Sequence, residues 1–246
     1  MLREHGFVST PQLPLGLRFA PDQRLHSYRD APHGLLELLA ALSLAESNDG
    51  PFQPSVFLSG ASGSGKSHLL LATCAEAAIV EGAVAYLPLK LFGTRAADAL
   101  AHQGAVRLAC VDDVHAIAGD RDAQVALFDL HNRVRDGGGA LLYAADASPL
   151  QLDLALPDLR SRLAQCTQFA LDVPDEMQRR MILRERAQAR GLELDDAVMD
   201  WLFRRVDRDL ATLTALLDRL DRASLAAQRR ITVPFLRGVL ETSGEP

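Results

Sequence analysis

The amino-acid sequence predicts an α/β protein in which a parallel five-stranded sheet lies between helices and is followed by a small all-helical lid domain. Three observations carry that reading. Five short apolar runs rich in β-branched or aromatic residues, 55–59, 84–88, 106–112, 140–145 and 168–171, are separated by segments long enough to hold a helix, the pattern of parallel strands covered on both faces. A glycine-rich loop, Gly60-Ala61-Ser62-Gly63-Ser64-Gly65-Lys66-Ser67, joins the first run to a helical stretch at 69–78. After Pro174 the strands stop, and helical patterning alone continues.

Along the chain, residues 1–30 are interrupted by prolines and lack sustained periodicity, which predicts an extended arm. Leu35, Leu38, Leu39 and Leu42 then recur at helical spacing within 34–45, and 47–54 reads as a loop. The five runs and their connections make up 31–173, the α/β domain. Beyond it, 174–246 holds helices at 175–189, 195–206, 209–228 and 234–241. Three of these open on an aspartate suited to cap the first turn. Leu210, Leu213, Leu217 and Leu220 give the third one apolar face.

Composition bounds the function classes. With 48% hydrophobic and 24% charged residues the chain has the balance of a soluble globular protein. The first 16 residues are polar and broken by Pro11 and Pro14, unlike a signal peptide, and no apolar run approaches the ~20 residues of a membrane helix, so a cytoplasmic location without membrane contact is expected. Cys74, Cys110 and Cys166 stand singly in apolar stretches, the pattern of buried thiols and not of a metal site or disulfide framework. The net charge of −6 argues against a dedicated duplex-DNA reader, whose affinity comes from neutralising phosphates. Arg204, Arg205 and Arg208, with Arg229 and Arg230, read as solvated helix faces able to make at most weak DNA contact.

The loop from Gly60 to Ser67 fits G-x-x-x-x-G-K-[ST] in full and stands between a strand and a helix. Glycines let successive N–H groups turn towards one anion, and the helix N-terminus adds partial positive charge. Lys66 is expected to reach the β- and γ-phosphates of ATP or ADP, and Ser67 to ligand Mg²⁺. About 45 residues downstream, the strand-like run Leu108-Ala109-Cys110-Val111 ends in Asp112 and Asp113, the Walker B arrangement. Asp112 is expected to orient the Mg²⁺ shell. Asp113 stands where many ATPases place a glutamate that polarises water, and its shorter reach argues against fast intrinsic hydrolysis. Asp146, after the run 140–145, is expected at the same sheet edge as a γ-phosphate sensor.

Together these residues resemble the AAA+ core of the replication initiator DnaA: the loop with His68-Leu69-Leu70, Asp112-Asp113 with Ile117-Ala118-Gly119, Ala145-Asp146, and Leu156-Pro157-Asp158-Leu159-Arg160-Ser161-Arg162-Leu163. The stretch Asp218-Arg219-Leu220-Asp221-Arg222-Ala223-Ser224, with Gln228-Arg229-Arg230-Ile231-Thr232-Val233-Pro234-Phe235, is more specifically similar to the regulatory inactivators of DnaA, the Hda group. The likeness spans about residues 12–240. It implies nucleotide contact by Gly60 to His68, an arginine finger at Arg162 aimed at a neighbour's γ-phosphate, and a sensor II arginine at Arg208. The chain ends where the initiator would continue into a DNA-binding domain, so the ATPase-like module alone is expected.

Gln12-Leu13-Pro14-Leu15-Gly16-Leu17 resembles the Q-L-x-L-x-L peptide by which that group docks on the DNA polymerase III β sliding clamp. A glutamine amide and alternate leucines on an extended segment can fill a polar notch and apolar pockets together. The resemblance implies DnaA and the clamp as partners, with a homo-oligomer open. Tyr28 and Arg29 are expected beside the adenine. A stand-alone ATPase that loads or remodels a helicase is the alternative, and a nucleotide-gated adaptor without catalytic effect is a third.

Overall fold

The computed structural model describes residues 23–44, 54–205, 210–227 and 231–241. Gln12, Leu13, Leu15, Leu17 and Arg208 lie outside the described residues. The strands β1 (Ser55–Ser59), β2 (Val84–Pro88), β3 (Leu108–Asp112), β4 (Ala140–Ala145) and β5 (Thr167–Ala170) form one sheet in the order β2-β3-β4-β1-β5. Every neighbouring pair is parallel.

Alternation along the strands divides the core in two. Phe57, Val111 and Tyr143 face α4 (Ala96–Ala101), α5 (Arg121–Asp136) and α6 (Pro157–Ala164) through Leu100, Leu127 and Leu159. Val56, Leu58, Cys110 and Leu142 face α1 (Leu35–Leu44) and α2 (Lys66–Ala77) through Leu39, Leu69 and Leu70. Between β2 and α4 the chain makes the short α3 (Leu89–Phe92).

The lid helices α7 (Glu176–Ala189), α8 (Asp196–Arg205), α9 (Leu210–Ala227) and α10 (Val233–Glu241) pack a separate core around Leu183, Phe203, Leu217 and Leu236. Aspartates start two of them as the sequence implies. Asp175 accepts the Gln178 N–H at 2.8 Å while the Gln178 side chain accepts the Asp175 N–H at 2.7 Å, a capping box, and Asp195 accepts the Val198 N–H at 2.7 Å.

Two local differences from the sequence reading have physical causes. Residues 25–27, expected in an extended arm, form a 3₁₀ turn because Leu25 is buried with α1 and α2 in the core. Strand β3 starts at Leu108, two residues later than the apolar run. There the Arg107 side chain, 4% exposed, turns beneath the sheet and donates to Ser43 O at 3.0 Å and Ala77 O at 2.7 Å, tying together the C-terminal ends of α1 and α2. Ala77 O also accepts the Val80 N–H at 3.0 Å, and both carbonyls lie at the negative ends of the helix dipoles, which the buried guanidinium offsets. Among the described residues no helix is long and apolar enough to cross a membrane.

Candidate functional site

Strand β1 sits between β4 and β5, so the chain leaves β1 towards one edge of the sheet and leaves β4 towards the other. The crevice where connections diverge at the carboxyl ends is where open α/β sheets bind ligands. Here it holds the glycine-rich loop. Gly63 (φ 85°) and Gly65 (φ 88°) adopt left-handed backbone that other residues resist. A Cβ at Gly65 would also stand 2.6 Å from Tyr28 Cε2, and one at Gly60 would stand 2.4 Å from Leu171 O. Helix α2 begins at Lys66 with no side-chain cap, leaving its first N–H groups for an anion. Lys66, 7% exposed, donates from Nζ to Gly60 O at 2.5 Å and Ala61 O at 2.9 Å. Burial lowers its pKa, and the charges of Asp112, Asp113 and Asp146 oppose that shift.

The acidic side is built by two strand ends. Asp112, the last residue of β3 and 1% exposed, accepts the Asp113 N–H on Oδ1 and the Tyr86 hydroxyl on Oδ2, each at 2.9 Å. Asp113 holds φ 55°, uncommon outside glycine, and its carboxyl pKa is raised by burial and then by Asp112, against His115, Lys90 and Lys66. Asp146 follows β4 and donates its backbone N–H to His115 Nδ1 at 3.3 Å. His115 Nε2 lies 3.9 Å from Asp113 Oδ1, and its Nδ1 lies 3.6 Å from Asp146 Oδ1. Lys66, Asp113, His115 and Asp146 all line one cleft of about 1120 Å³. Sequence reasoning passed over Tyr86 and His115. The only signal for His115 was its place three residues past Asp112, and none existed for Tyr86.

Comparison with known proteins then decides the family. Residues 32–170 match the bacterial DnaA ATPase domain, and residues 175–240 match the Hda lid domain. The chain belongs to the DnaA-related AAA+ family. It is similar to domain III of the Thermotoga maritima replication initiation protein DnaA (TM-score 0.68, 22% identity), covering 93% of this chain and 100% of that one. AMPPCP-bound DnaA from Aquifex aeolicus is also similar (TM-score 0.62, 21% identity; 84% and 67% covered). So is the Thermotoga maritima RuvB Holliday junction branch migration motor (TM-score 0.57, 17% identity; 92% and 73% covered).

In this DnaA-related AAA+ chain a second cavity beside the loop is lined by residues distant in sequence. Tyr28 donates its hydroxyl to Ser64 O at 2.8 Å; burial, then Asp172 and Asp30, push its pKa up to about 12. Tyr28 and Arg29 line a smaller cavity of about 150 Å³ with Gly65, His68, Ile182 and Arg186. His68 Nε2 lies 3.1 Å from Ser27 Oγ, and its Nδ1 lies 3.3 Å from the Arg186 guanidinium on α7. Arg186 also donates to Thr214 Oγ1 on α9 at 2.5 Å, and Arg29 pairs with Glu185. Arg186 thus bonds α7 to the first turn after the loop, next to Ser67, and links α9 to it in turn.

These residues fit a magnesium nucleotide. The loop is closed by glycines whose Cβ would strike Leu171 O or Tyr28, an ammonium and a helix N-terminus face the cleft, and Asp112 is near enough to act on the charge of Lys66. Among the described residues no group of three or more His, Cys, Asp or Glu could hold a metal by itself. A nucleotide-bound Mg²⁺ commonly takes one or two protein oxygens together with phosphates and water, and Ser67 and Asp112 would be the residues to supply them. The structure therefore brings Gly60 to His68, Asp112, Asp113 and Asp146 to one place. Arg162, half-buried on α6, does not line that cleft and forms no ion pair among the described residues.

Proposed function

We propose that this protein is a negative regulator of DNA replication initiation that activates ATP hydrolysis by DnaA. The observation carrying the proposal is the joining, in one chain, of a DnaA ATPase-domain match to an Hda lid match. In this reading the chain holds ADP or ATP with Mg²⁺. Lys66 and the Gly60 to Ser67 amides take the phosphates, Ser67 and Asp112 serve the metal, and Arg208 of the lid contacts the same nucleotide. Asp113 and Asp146 face its terminal phosphate. The segment Gln12, Leu13, Leu15, Leu17 docks on the DNA polymerase III β sliding clamp, bringing the protein to DNA already being copied. Arg162 then reaches the γ-phosphate bound by DnaA and stabilises charge developing as the bond to it breaks. Its place outside its own cleft supports a role across a subunit boundary.

The test is single-turnover ATP hydrolysis by DnaA with clamp and DNA present. Arg162→Ala is expected to lower the stimulated rate by about 10³-fold while nucleotide binding by the regulator itself is unchanged. An unaltered stimulated rate would exclude the finger. Clamp docking is tested separately by a Gln12, Leu13 and Leu15 triple alanine variant, expected to lose clamp binding and to keep nucleotide.

A further inference from the structure

We propose that Tyr86 is a positioning residue for the Walker B carboxylate, its hydroxyl holding Asp112 in the orientation that meets a nucleotide-bound divalent cation. The inference rests on the reading of Asp112 as the metal-serving acid. Strand β2 pairs with β3 so that Tyr86 is opposite Cys110, and Tyr86, Cys110 and Asp112 emerge on one face of the sheet. Leaning along the strand, the phenol reaches Asp112 Oδ2 at 2.9 Å. The other oxygen accepts the Asp113 N–H. A carboxylate rotates over a broad torsional well, so one donor alone would leave its plane loosely defined. Two donors, one on each oxygen, fix the plane and leave a lone pair on each oxygen free.

The phenol is a costly choice if packing were its only purpose. It stands half-buried beside Cys110 and Leu142, where phenylalanine would fill nearly the same space without a hydroxyl that needs a partner. Partners that orient a ligand to a metal are commonly worth about 10- to 100-fold in metal affinity.

The experiment measures ADP affinity of the full chain by calorimetry, in Mg²⁺ and in EDTA, for wild type, Tyr86→Phe and Asp112→Asn. Tyr86→Phe is expected to match wild type within about twofold in EDTA and to lose about tenfold of the affinity gained from Mg²⁺. An equal fall in both buffers would assign Tyr86 to packing and overturn the inference. So would a full Mg²⁺ gain in Tyr86→Phe when Asp112→Asn has lost it. If Asp112→Asn keeps the wild-type gain, the reading of the metal site fails instead, and the inference with it.

Discussion

Lys66 and Arg107 are buried cations at opposite edges of the same sheet, and both donate to backbone carbonyls. Arg107 bonds carbonyls in the last turns of two helices and ties their ends together. Lys66 bonds the loop that its own strand leads into, beside three carboxylates that oppose the lowering of its pKa by burial. One cation ties two helix ends together in the core, while the other is held at a cleft where an anionic ligand would compete with the carbonyls for its protons. Burial and bonding alone do not distinguish a structural cation from a functional one; the nature of what surrounds it does.

Removing each in turn is the sharpest test of that contrast. Arg107→Met should destabilise the fold by about 3 kcal/mol, since two buried carbonyls lose charged donors at about 1.5 kcal/mol or more each. Urea unfolding would read the loss, and ADP affinity measured on the folded fraction should stay within about twofold. A variant as stable as wild type would show that Arg107 is no staple.

Lys66→Ala should do the reverse. Two charge-assisted bonds to phosphate oxygens are worth about 1.5 kcal/mol or more apiece, so nucleotide affinity should fall at least about 100-fold. Its unfolding midpoint in the absence of nucleotide should stay close to wild type, because Gly60 is half-buried and Ala61 exposed, so water can take over the carbonyls that the ammonium leaves. If Lys66→Ala instead unfolded as readily as Arg107→Met, the proposed division between the two edges would collapse.

The same contrast explains what could be read before the structure. Strands 55–59, 84–88 and 140–145 were legible to the residue because each is a contiguous apolar run ended by a turn former. The loop beside the cleft was legible for a similar reason: Gly60 to Ser67 is one uninterrupted motif, and Gly63 and Gly65 are demanded by local backbone conformation. Tyr86, His115 and Arg186 were not. Each enters the site through a strand register, a turn or a lid packing that joins residues far apart, as with the 118 positions between His68 and Arg186. Arg107 misled the reading outright. It sits inside an apolar run, and only the approach of two helix ends shows why a guanidinium is tolerated there.

A third buried base completes the series and gives the smallest effect. His131 on α5, 1% exposed, shares a 2.9 Å hydrogen bond through Nδ1 with the Tyr143 hydroxyl, while its Nε2 meets no partner among the described residues. Burial, with Arg135 and Arg162 adding to it, lowers its pKa from 6.5 to about 4. Unlike Lys66 and Arg107, it is held neutral. The folded pKa lies below the unfolded one, so this residue makes no pH-dependent contribution above about pH 6.5. As pH falls from there towards about 4, the unfolded chain takes up a proton that the native protein refuses, and stability is lost. Between about pH 6.5 and pH 5.5 the loss attributable to His131 should be about 1 kcal/mol. Urea unfolding of wild type and His131→Phe at the two pH values isolates it, because other titrating groups are common to both. An identical change in the two proteins would mean that His131 is protonated in the native core, and that burial there does not hold the imidazole neutral.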